Sequence, residues 1–382
     1  MRLELTAGVL CVMALCATTW IGGGAFAQET GPKIEEGVLD GAPYRISIPA
    51  GWDGDGLLMV AHGYSMVARG HSGFDRDLGV LVCPVALARG FACAQSAFSR
   101  QGFAIEEGVL ESEALRRHFV ATHGEPDLTI MAGSHLGGMI TYAVMEMFPE
   151  AYDGGLAAGG NNEPKLVHLK ERAFDSRLLF DYFFPGLPGS VVEFPHGDAT
   201  FQRTAAVAQE LVKGKEDVLA EFCRVVGFRD PGRAPGIVAF FTEVLRELAE
   251  RAGGNAFDNR NTVYTRFGTV EQEIALNQAI PRYQADPDAV AYLRKWYTPT
   301  GKIQAPLLAV NKLIDDISPV EATRYYAGLV EIAGTGDLFV QQYMARVEGP
   351  SLIGPEFAAA FDELLAWIRE GTRPRHGLLE LD

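Results

Sequence analysis

The sequence predicts an α/β protein, a mostly parallel sheet with helices on both faces and an inserted, mainly helical cap. From residue 43 onward, short apolar runs alternate with segments of helical spacing, the pattern of repeated βα units. The alternation stops between about residues 160 and 304 and then resumes. The 382 residues are 48% hydrophobic and 21% charged, a composition typical of a globular protein with a large buried core.

The first half of the sheet is predicted from short runs with strand character. These runs lie at residues 43–49, 57–61, 91–96, 127–132 and 153–158. The first alternates apolar and polar side chains, whereas the next three are continuously apolar, as in strands buried on both faces. Segments of helical spacing lie between or after them, at 76–89, 108–122 and 136–148. This order predicts parallel strands joined through covering helices.

The cap is predicted from the break in this alternation. It contains helical stretches such as 203–213 and 237–252, several proline-containing loops and no regular strand spacing. The alternation resumes with strands at 306–310 and 338–345 and helices at 319–333 and 355–369. We therefore assign residues 28–159 and 304–372 to the core, 160–303 to the cap and 373–382 to a tail.

The first 27 residues have the features of a secretory signal peptide. An apolar run follows Arg2, and Ala25-Phe26-Ala27 forms a small-x-small cleavage site before Gln28. An uncleaved anchor is the alternative. No later stretch is apolar enough to span a bilayer, so we expect an exported protein, periplasmic or secreted, with no stable membrane span after cleavage.

Charge and cysteine content limit the partners and the cross-links. The formal net charge of −16 disfavours binding to the phosphate backbone, so we expect no nucleic-acid partner. Outside the predicted signal the chain has Cys83, Cys93 and Cys223, an odd number that does not suggest a disulfide framework. Cys83 and Cys93 are the nearest pair, but buried, inert thiols are the favoured interpretation.

The most informative stretch connects the strand at 127–132 to the helix that follows it. A sharp strand-to-helix turn requires small residues two positions before and two positions after its apex. With Ser134 at the apex, bulky Leu136 would occupy one of these positions. With His135 at the apex, the two positions are Gly133 and Gly137. The apex is therefore predicted to be His135, with Ser134 beneath the turn.

With this turn, the chain resembles secreted, capped, esterase-like members of the α/β-hydrolase superfamily that carry a GxSxGG nucleophile elbow. The resemblance covers most of the chain after residue 40 and implies the α/β-hydrolase fold. Further matching stretches are His62-Gly63-Tyr64, Ser99-Arg100-Gln101-Gly102, Phe148-Pro149-Glu150-Ala151-Tyr152-Asp153-Gly154, Arg251-Ala252-Gly253-Gly254-Asn255, Ala285-Asp286-Pro287 and Thr298-Pro299-Thr300-Gly301.

The resemblance also implies where a catalytic triad would lie. The acid corresponds to Asp315, with Asp316 as a less favoured alternative, and the histidine would stand near Gly349, where the sequence has none. His135 replaces the serine. The resemblance further places an oxyanion-hole or substrate-binding loop at His62, Gly63 and Tyr64, completed by residues that flank the apex, Ser134 and Leu136.

These residues are compatible with three functions. The first is an enzyme for a small ester- or carbonyl-containing substrate, in which His135 serves as acid, base or nucleophile. Asp315, Tyr64 or His62 would assist it, and the reaction could be a hydrolysis, a lyase reaction or an isomerisation. The second is a catalytically inactive relative that binds a small apolar ligand beneath the cap. The third is a conventional carboxylic ester hydrolase, in which the elbow or the histidine has been assigned to the wrong residue.

The remaining candidate residues favour ordinary structural roles. The other histidines, His168 among them, lack metal-ligand spacing, so we predict no metal site and expect them to be satisfied polar groups. Glu106, Glu107 and Glu111 suggest a solvated helix start. The first strand is not followed by a glycine-rich dinucleotide fingerprint. We therefore expect no cofactor and a small molecule as the partner; the oligomeric state is unknown.

Overall fold

The computed structural model describes residues 31–66, 74, 78–160, 165–194, 200–296, 298–345 and 354–381. The predicted signal peptide and Gly349 lie outside the described residues. The described residues form one nine-stranded sheet with helices on both of its faces. The predicted fold class is confirmed.

The sheet is mostly parallel. Its strands are β1 Lys33–Leu39, β2 Ala42–Ile48, β3 Gly56–Ala61, β4 Phe91–Ser96, β5 Thr129–Ser134, β6 Gly154–Ala158, β7 Leu307–Lys312, β8 Phe339–Met344 and β9 Gly377–Leu378. Their order is β1-β2-β4-β3-β5-β6-β7-β8-β9. The β1–β2 and β2–β4 pairs are antiparallel, and every other neighbouring pair is parallel. The carboxyl ends of the parallel strands therefore meet at one edge, where such sheets bind ligands.

Helices cover both faces of the sheet. They are α1 Leu78–Leu87, α2 Ile105–His123, α3 Leu136–Met147, α11 Thr323–Ala333 and α12 Gly354–Glu370. Successive residues of β3 belong to different cores, because strand side chains alternate between the two faces. Met59 contributes to the core that contains Ile140 of α3, and Leu58 to the core that contains Phe361 of α12.

Helices also dominate the residues between β6 and β7. They are α4 Lys165–Leu169, a π-helical turn at Lys170–Phe174, α5 Asp175–Phe183, α6 Thr200–Val212, α7 Glu216–Val226, α8 Ala234–Ala252, α9 Val270–Ala279 and α10 Pro287–Lys295. We refer to this region as the cap. Arg251 of α8 forms an ion pair with Glu107 of α2 at 2.7 Å. The sequence-based expectation that Glu107 is solvated was wrong, because burial against the cap gives its carboxylate a cationic partner.

Three further features differ from the sequence analysis. Strand β1 was not predicted, because its exposed, glutamate-containing sequence has no clear apolar run. Strand β9 lies within the predicted tail and extends the sheet beside β8. The favoured interpretation of Cys83 and Cys93 as thiols was wrong, because α1 packs on β4 and brings the two sulfur atoms together as a disulfide.

No helix in the described parts of the chain combines the length and the apolarity that crossing a membrane requires.

Candidate functional site

The structure places His135 at the apex of a sharp turn between β5 and α3. Its backbone has φ 54° and ψ −114°, and a positive φ is uncommon for a residue other than glycine. The His135 N–H donates a hydrogen bond to the carbonyl of Ala158 at 2.8 Å. This strained conformation projects one side chain from the carboxyl end of a central strand, at the edge where parallel sheets bind ligands.

The glycines around His135 are required by close backbone contacts. A Cβ atom added to Gly133 would lie 2.1 Å from the carbonyl oxygen of Gly137, and one added to Gly137 would lie 2.0 Å from that of Ala61. Real Cβ atoms do not approach other atoms so closely. Glycines two positions before and after His135 therefore set this residue, and not Ser134, at the apex.

Ser134 and Leu136 lie on either side of the apex. Ser134 is the last residue of β5, pairs with Ala158 of β6 and is 7% exposed. Leu136 begins α3. The first N–H groups of a helix have no partner within it, so the Leu136 N–H is available at the turn as a hydrogen-bond donor.

The loop after β3 lies directly against the elbow. A Cβ atom on Gly63 would be 3.2 Å from the carbonyl oxygen of Ser134 and 3.7 Å from Cβ of His135. The side chain of His62 is buried, its Nδ1 donates to the carbonyl of Gly63 at 2.7 Å, and its ring lies 4.1 Å from that of Phe98. His62 therefore shapes the loop, while Gly63 leaves space beside His135.

Tyr64 connects this loop to the cap. Its ring packs edge-on against Phe240 of α8, with 5.2 Å between ring centroids. Burial raises the pKa of the phenol far above its ordinary value, and the negative charge of neighbouring Glu247 raises it further. Tyr64 is therefore a neutral hydrogen-bonding group at neutral pH.

A cavity of about 230 Å³ lies between the elbow, the β3 loop and the cap. Its lining is mainly apolar and includes His135 at the elbow and His168 of α4. The full lining consists of Gly63, Tyr64, Phe103, His135, Leu136, Met139, His168, Leu169, Phe240, Phe241, Val244, Ile317 and Ser318. Typical pockets for drug-sized ligands are larger, about 300–1,000 Å³, so this cavity is suited to a small, largely apolar molecule.

Asp315 lies in the loop after β7, where the resemblance places the acid. Its carboxylate accepts hydrogen bonds from the N–H groups of Ile317 and Ser318, at 2.9 and 3.1 Å, and forms an ion pair with Lys312 at 2.9 Å. Burial raises the pKa of Asp315, but the Lys312 ammonium and these hydrogen bonds outweigh it and leave the pKa below its usual range. Asp315 is therefore an ionised group paired with a lysine.

Asp316, the alternative candidate for the acid, makes hydrogen bonds to the cap instead. Its carboxylate accepts hydrogen bonds from the N–H groups of Arg229 and Asp230, at 2.8 and 3.4 Å. Its carbonyl oxygen accepts one from Arg172 of the π-helical turn. Asp316 thus holds the loop after β7 to the cap.

The imidazole of His135 is influenced by burial and by two opposite charges. Burial lowers its pKa below the ordinary value of 6.5, the negative charge of Asp315 raises it, and the positive charge of Lys312 lowers it. The net effect is a lowered pKa. His135 is therefore a neutral imidazole at neutral pH, able to accept a proton or to attack an electrophile.

Two residues at this site were not singled out from the sequence. Lys312 is the last residue of β7 and is 8% exposed; a lysine ending an apolar strand was the available signal. His168 is 2% exposed and lines the cavity, although no local pattern relates it to His135. Among the described residues, no group of three or more His, Cys, Asp or Glu side chains could hold a metal ion.

Solved structures with similar folds include hydrolases of several kinds. Candida antarctica lipase A is 13% identical, with 89% of this chain and 77% of that chain covered and a TM-score of 0.48. Feruloyl esterase B from Aspergillus oryzae is 14% identical, with 88% and 80% covered and a TM-score of 0.42. The acylaminoacyl peptidase of Pyrococcus horikoshii is 12% identical, with 91% and 43% covered and a TM-score of 0.43. This chain thus spans less than half the length of that peptidase.

The family assignment comes from the sequence itself. No curated protein matches the chain. Residues 39–291 match the tannase-like family of unknown function (DUF6351), and this match spans more than half of the chain. The sheet order and the strand-to-helix elbow are those of an α/β-hydrolase fold. The protein is therefore an α/β-hydrolase-fold member of the tannase-like family of unknown function.

Proposed function

We propose that the protein is an enzyme that hydrolyses a small, largely apolar ester, with His135 as the general base. The observation that carries the proposal is the position of His135, at the apex of the elbow and in the lining of the apolar cavity beneath the cap. A neutral imidazole at this position can accept a proton. Maintaining a strained backbone at a non-glycine residue is typical of a functional site.

The reactants are water and the ester, and His135 and backbone N–H groups of the protein supply the catalysis. Neutral His135 removes a proton from a water molecule, and the remaining hydroxide oxygen attacks the ester carbonyl carbon. The carbonyl electron pair moves to the oxygen, where the N–H groups of Leu136 and of the loop at Gly63 and Tyr64 stabilise the oxyanion. When the tetrahedral intermediate collapses, the ester C–O bond breaks and its electron pair goes to the departing alcohol oxygen. That oxygen takes up a proton, which balances the proton that His135 removed from water, so His135 returns to its neutral form.

Two features support the proposed size of the substrate and the proposed compartment of the protein. A cavity of about 230 Å³ corresponds to roughly eight water volumes, which favours a short acyl or aromatic ester over a long-chain lipid. The disulfide between Cys83 and Cys93 favours an oxidising compartment, so export to the periplasm or the medium is part of the proposal.

A second candidate function is binding of a small apolar ligand without turnover. The ion pair between Asp315 and Lys312 favours it, because the carboxylate of a working triad is hydrogen-bonded to a histidine instead. A conventional serine mechanism is not part of the proposal, since Ser134 lies buried at the end of β5 and not at the apex.

The test measures ester hydrolysis by the wild-type protein, His135→Ala and the neighbouring control Ser134→Ala. We expect wild-type turnover of nitrophenyl acetate or butyrate, a loss of about 100-fold or more in His135→Ala, and little loss in Ser134→Ala. Added imidazole should partly restore His135→Ala by occupying the vacated space.

Other outcomes lead to different conclusions. Absence of wild-type turnover, with the esters still binding competitively, would replace the proposal with the ligand-binding function. Loss of activity in Ser134→Ala but not in His135→Ala would restore the conventional mechanism. An acyl group found on His135 by mass spectrometry after rapid quenching would make this residue a nucleophile and not a general base.

A further inference from the structure

A second imidazole shares the cavity with His135. His168 is on α4, at the start of the cap, and is 2% exposed. It lines the same cavity as His135, together with its neighbour Leu169. The two histidines come from opposite parts of the fold, one from the core elbow and the other from the cap, so the cavity brings together groups that are 33 positions apart in the sequence.

The helix that carries His168 is held to the loop that carries Asp315. Directly after α4 the chain makes a π-helical turn, in which the N–H of Asp175 donates to the carbonyl of Lys170. π-Helical turns within α-helices are rare and frequently occur at functional sites. Arg172 in this turn donates hydrogen bonds to the carbonyls of Asp316 and Val226. His168 is therefore fixed relative to the loop that borders the cavity.

The position of His135 creates a need for a second proton donor. In a serine triad the histidine stands beside the nucleophile, so one imidazole reaches both the nucleophile and the leaving group. Here the imidazole itself occupies the apex, on the side from which the carbonyl is attacked. A leaving oxygen on the cap side of a bound ester would be next to the part of the lining that contains His168, the imidazole that the cap contributes to the cavity.

We propose that His168 is the general acid that protonates the leaving alcohol, while His135 is the base that activates water. This inference rests on the proposed ester hydrolysis. The proton that His135 removes from water passes through a second water molecule to the imidazole of His168. As the ester C–O bond breaks, its electron pair goes to the alcohol oxygen, which takes this proton from His168, and both imidazoles are again neutral. The products are a carboxylic acid and an alcohol.

The experiment compares two esters of the same acid in wild-type protein and in His168→Gln. An ethyl ester has a poor leaving group that requires protonation, whereas a nitrophenyl ester has a good one that does not. We expect kcat/KM for the ethyl ester to fall about 100-fold in His168→Gln and that for the nitrophenyl ester to fall only a few-fold. A residue that merely shapes the cavity would affect both esters alike.

Two control variants complete the design. Leu169→Ala opens the cavity beside His168 and should reduce both activities by similar factors. His118→Gln removes a histidine of α2 that forms a hydrogen bond with Tyr44 and does not line the cavity. This variant should leave both activities unchanged. Equal losses for the two esters in a folded His168→Gln would overturn the role of His168 and leave that of His135 intact. Absence of turnover in the wild-type protein would overturn the hydrolysis proposal itself.

Discussion

At the residue scale, the most informative group is the imidazole of His135. Burial lowers its pKa, the carboxylate of Asp315 opposes this effect, and the ammonium of Lys312 adds to it. Lys312 and Asp315 are paired at 2.9 Å, so His135 experiences two nearby charges that partly cancel. Burial is the largest cause, and it keeps the neutral form of the imidazole in place.

The opposing charges predict how activity depends on pH. A base must be neutral, so kcat/KM of the wild-type protein should decline only below pH 6.5, as the pH falls through the lowered pKa of His135. Lys312→Met removes the charge that lowers this pKa and should move the decline to higher pH. Asp315→Asn removes the charge that raises it and should move the decline to lower pH.

The measurement is the pH profile of ester hydrolysis, with the His135 pKa followed by NMR titration as a check. Arg260→Met, which alters an exposed ion pair with Asp258 in the cap, should leave the profile unchanged. Shifts of the same sign in the two charge variants would contradict the assignment of Lys312 and Asp315 as opposing influences on His135.

At the scale of elements, the elbow depends on how closely β5, α3 and the end of β3 approach one another. A Cβ atom added to Gly137 would lie 2.0 Å from the carbonyl oxygen of Ala61 in β3. The contact involves backbone on both sides, so no flexible side chain can move away to relieve it. Packing of three elements, and not helix propensity, therefore requires this glycine.

We expect substitution of Gly137 to reduce both the stability and the activity of the protein. Gly137→Ala should destabilise the protein by about 2–4 kcal/mol, because α3 must move away from β3, and ester turnover should fall with the displaced elbow. The matched control is Gly328→Ala in α11, where an added Cβ meets nothing within 4 Å. Alanine is the better helix former there, so this control should gain up to about 1 kcal/mol. Urea unfolding measures the stability of both variants. Equal stabilities would show that the backbone contact at Gly137 does not require glycine.

At the scale of the whole molecule, α8 joins the cap to the core through buried charges. The side chain of Arg251 is 3% exposed, contacts both carboxylate oxygens of Glu107 and donates to the carbonyl of Gln101 at 2.6 Å. One turn earlier, Glu247 accepts a hydrogen bond from the N–H of Phe103 at 3.1 Å. These contacts hold the cap over the cavity that the elbow lines.

Breaking the buried pair should weaken the whole fold. Arg251→Met leaves the Glu107 carboxylate in a buried position without its closest cation, so we expect a loss of about 3 kcal/mol in the free energy of unfolding. Arg260→Met breaks the exposed pair with Asp258 in the same region, and should cause no measurable change. Urea unfolding of the two variants is the measurement, and similar midpoints would show that the Arg251 pair does not hold the cap to the core.

The fold and part of the site could be read from local sequence. Strand and helix periodicity depends on neighbouring residues, so β2 to β8 and their covering helices were predictable, whereas β1 and β9 lack apolar runs. The glycines two positions before and after His135 assigned the elbow, because the steric requirement of a tight turn is itself local. The loop at Gly63 and the candidate acid Asp315 were instead implied by the resemblance to capped α/β-hydrolases.

The amino-acid sequence by itself determined the α/β class and the glycine-flanked turn that carries His135, and it predicted a helical cap between the two parts of the sheet. The tertiary structure alone decided the partners of the buried charges, Lys312 with Asp315 and Arg251 with Glu107, and the disulfide between Cys83 and Cys93. It alone placed His168 beside the same cavity as His135. The physical reason is that pairing and cavity lining depend on distances between elements far apart in sequence, which local periodicity does not encode.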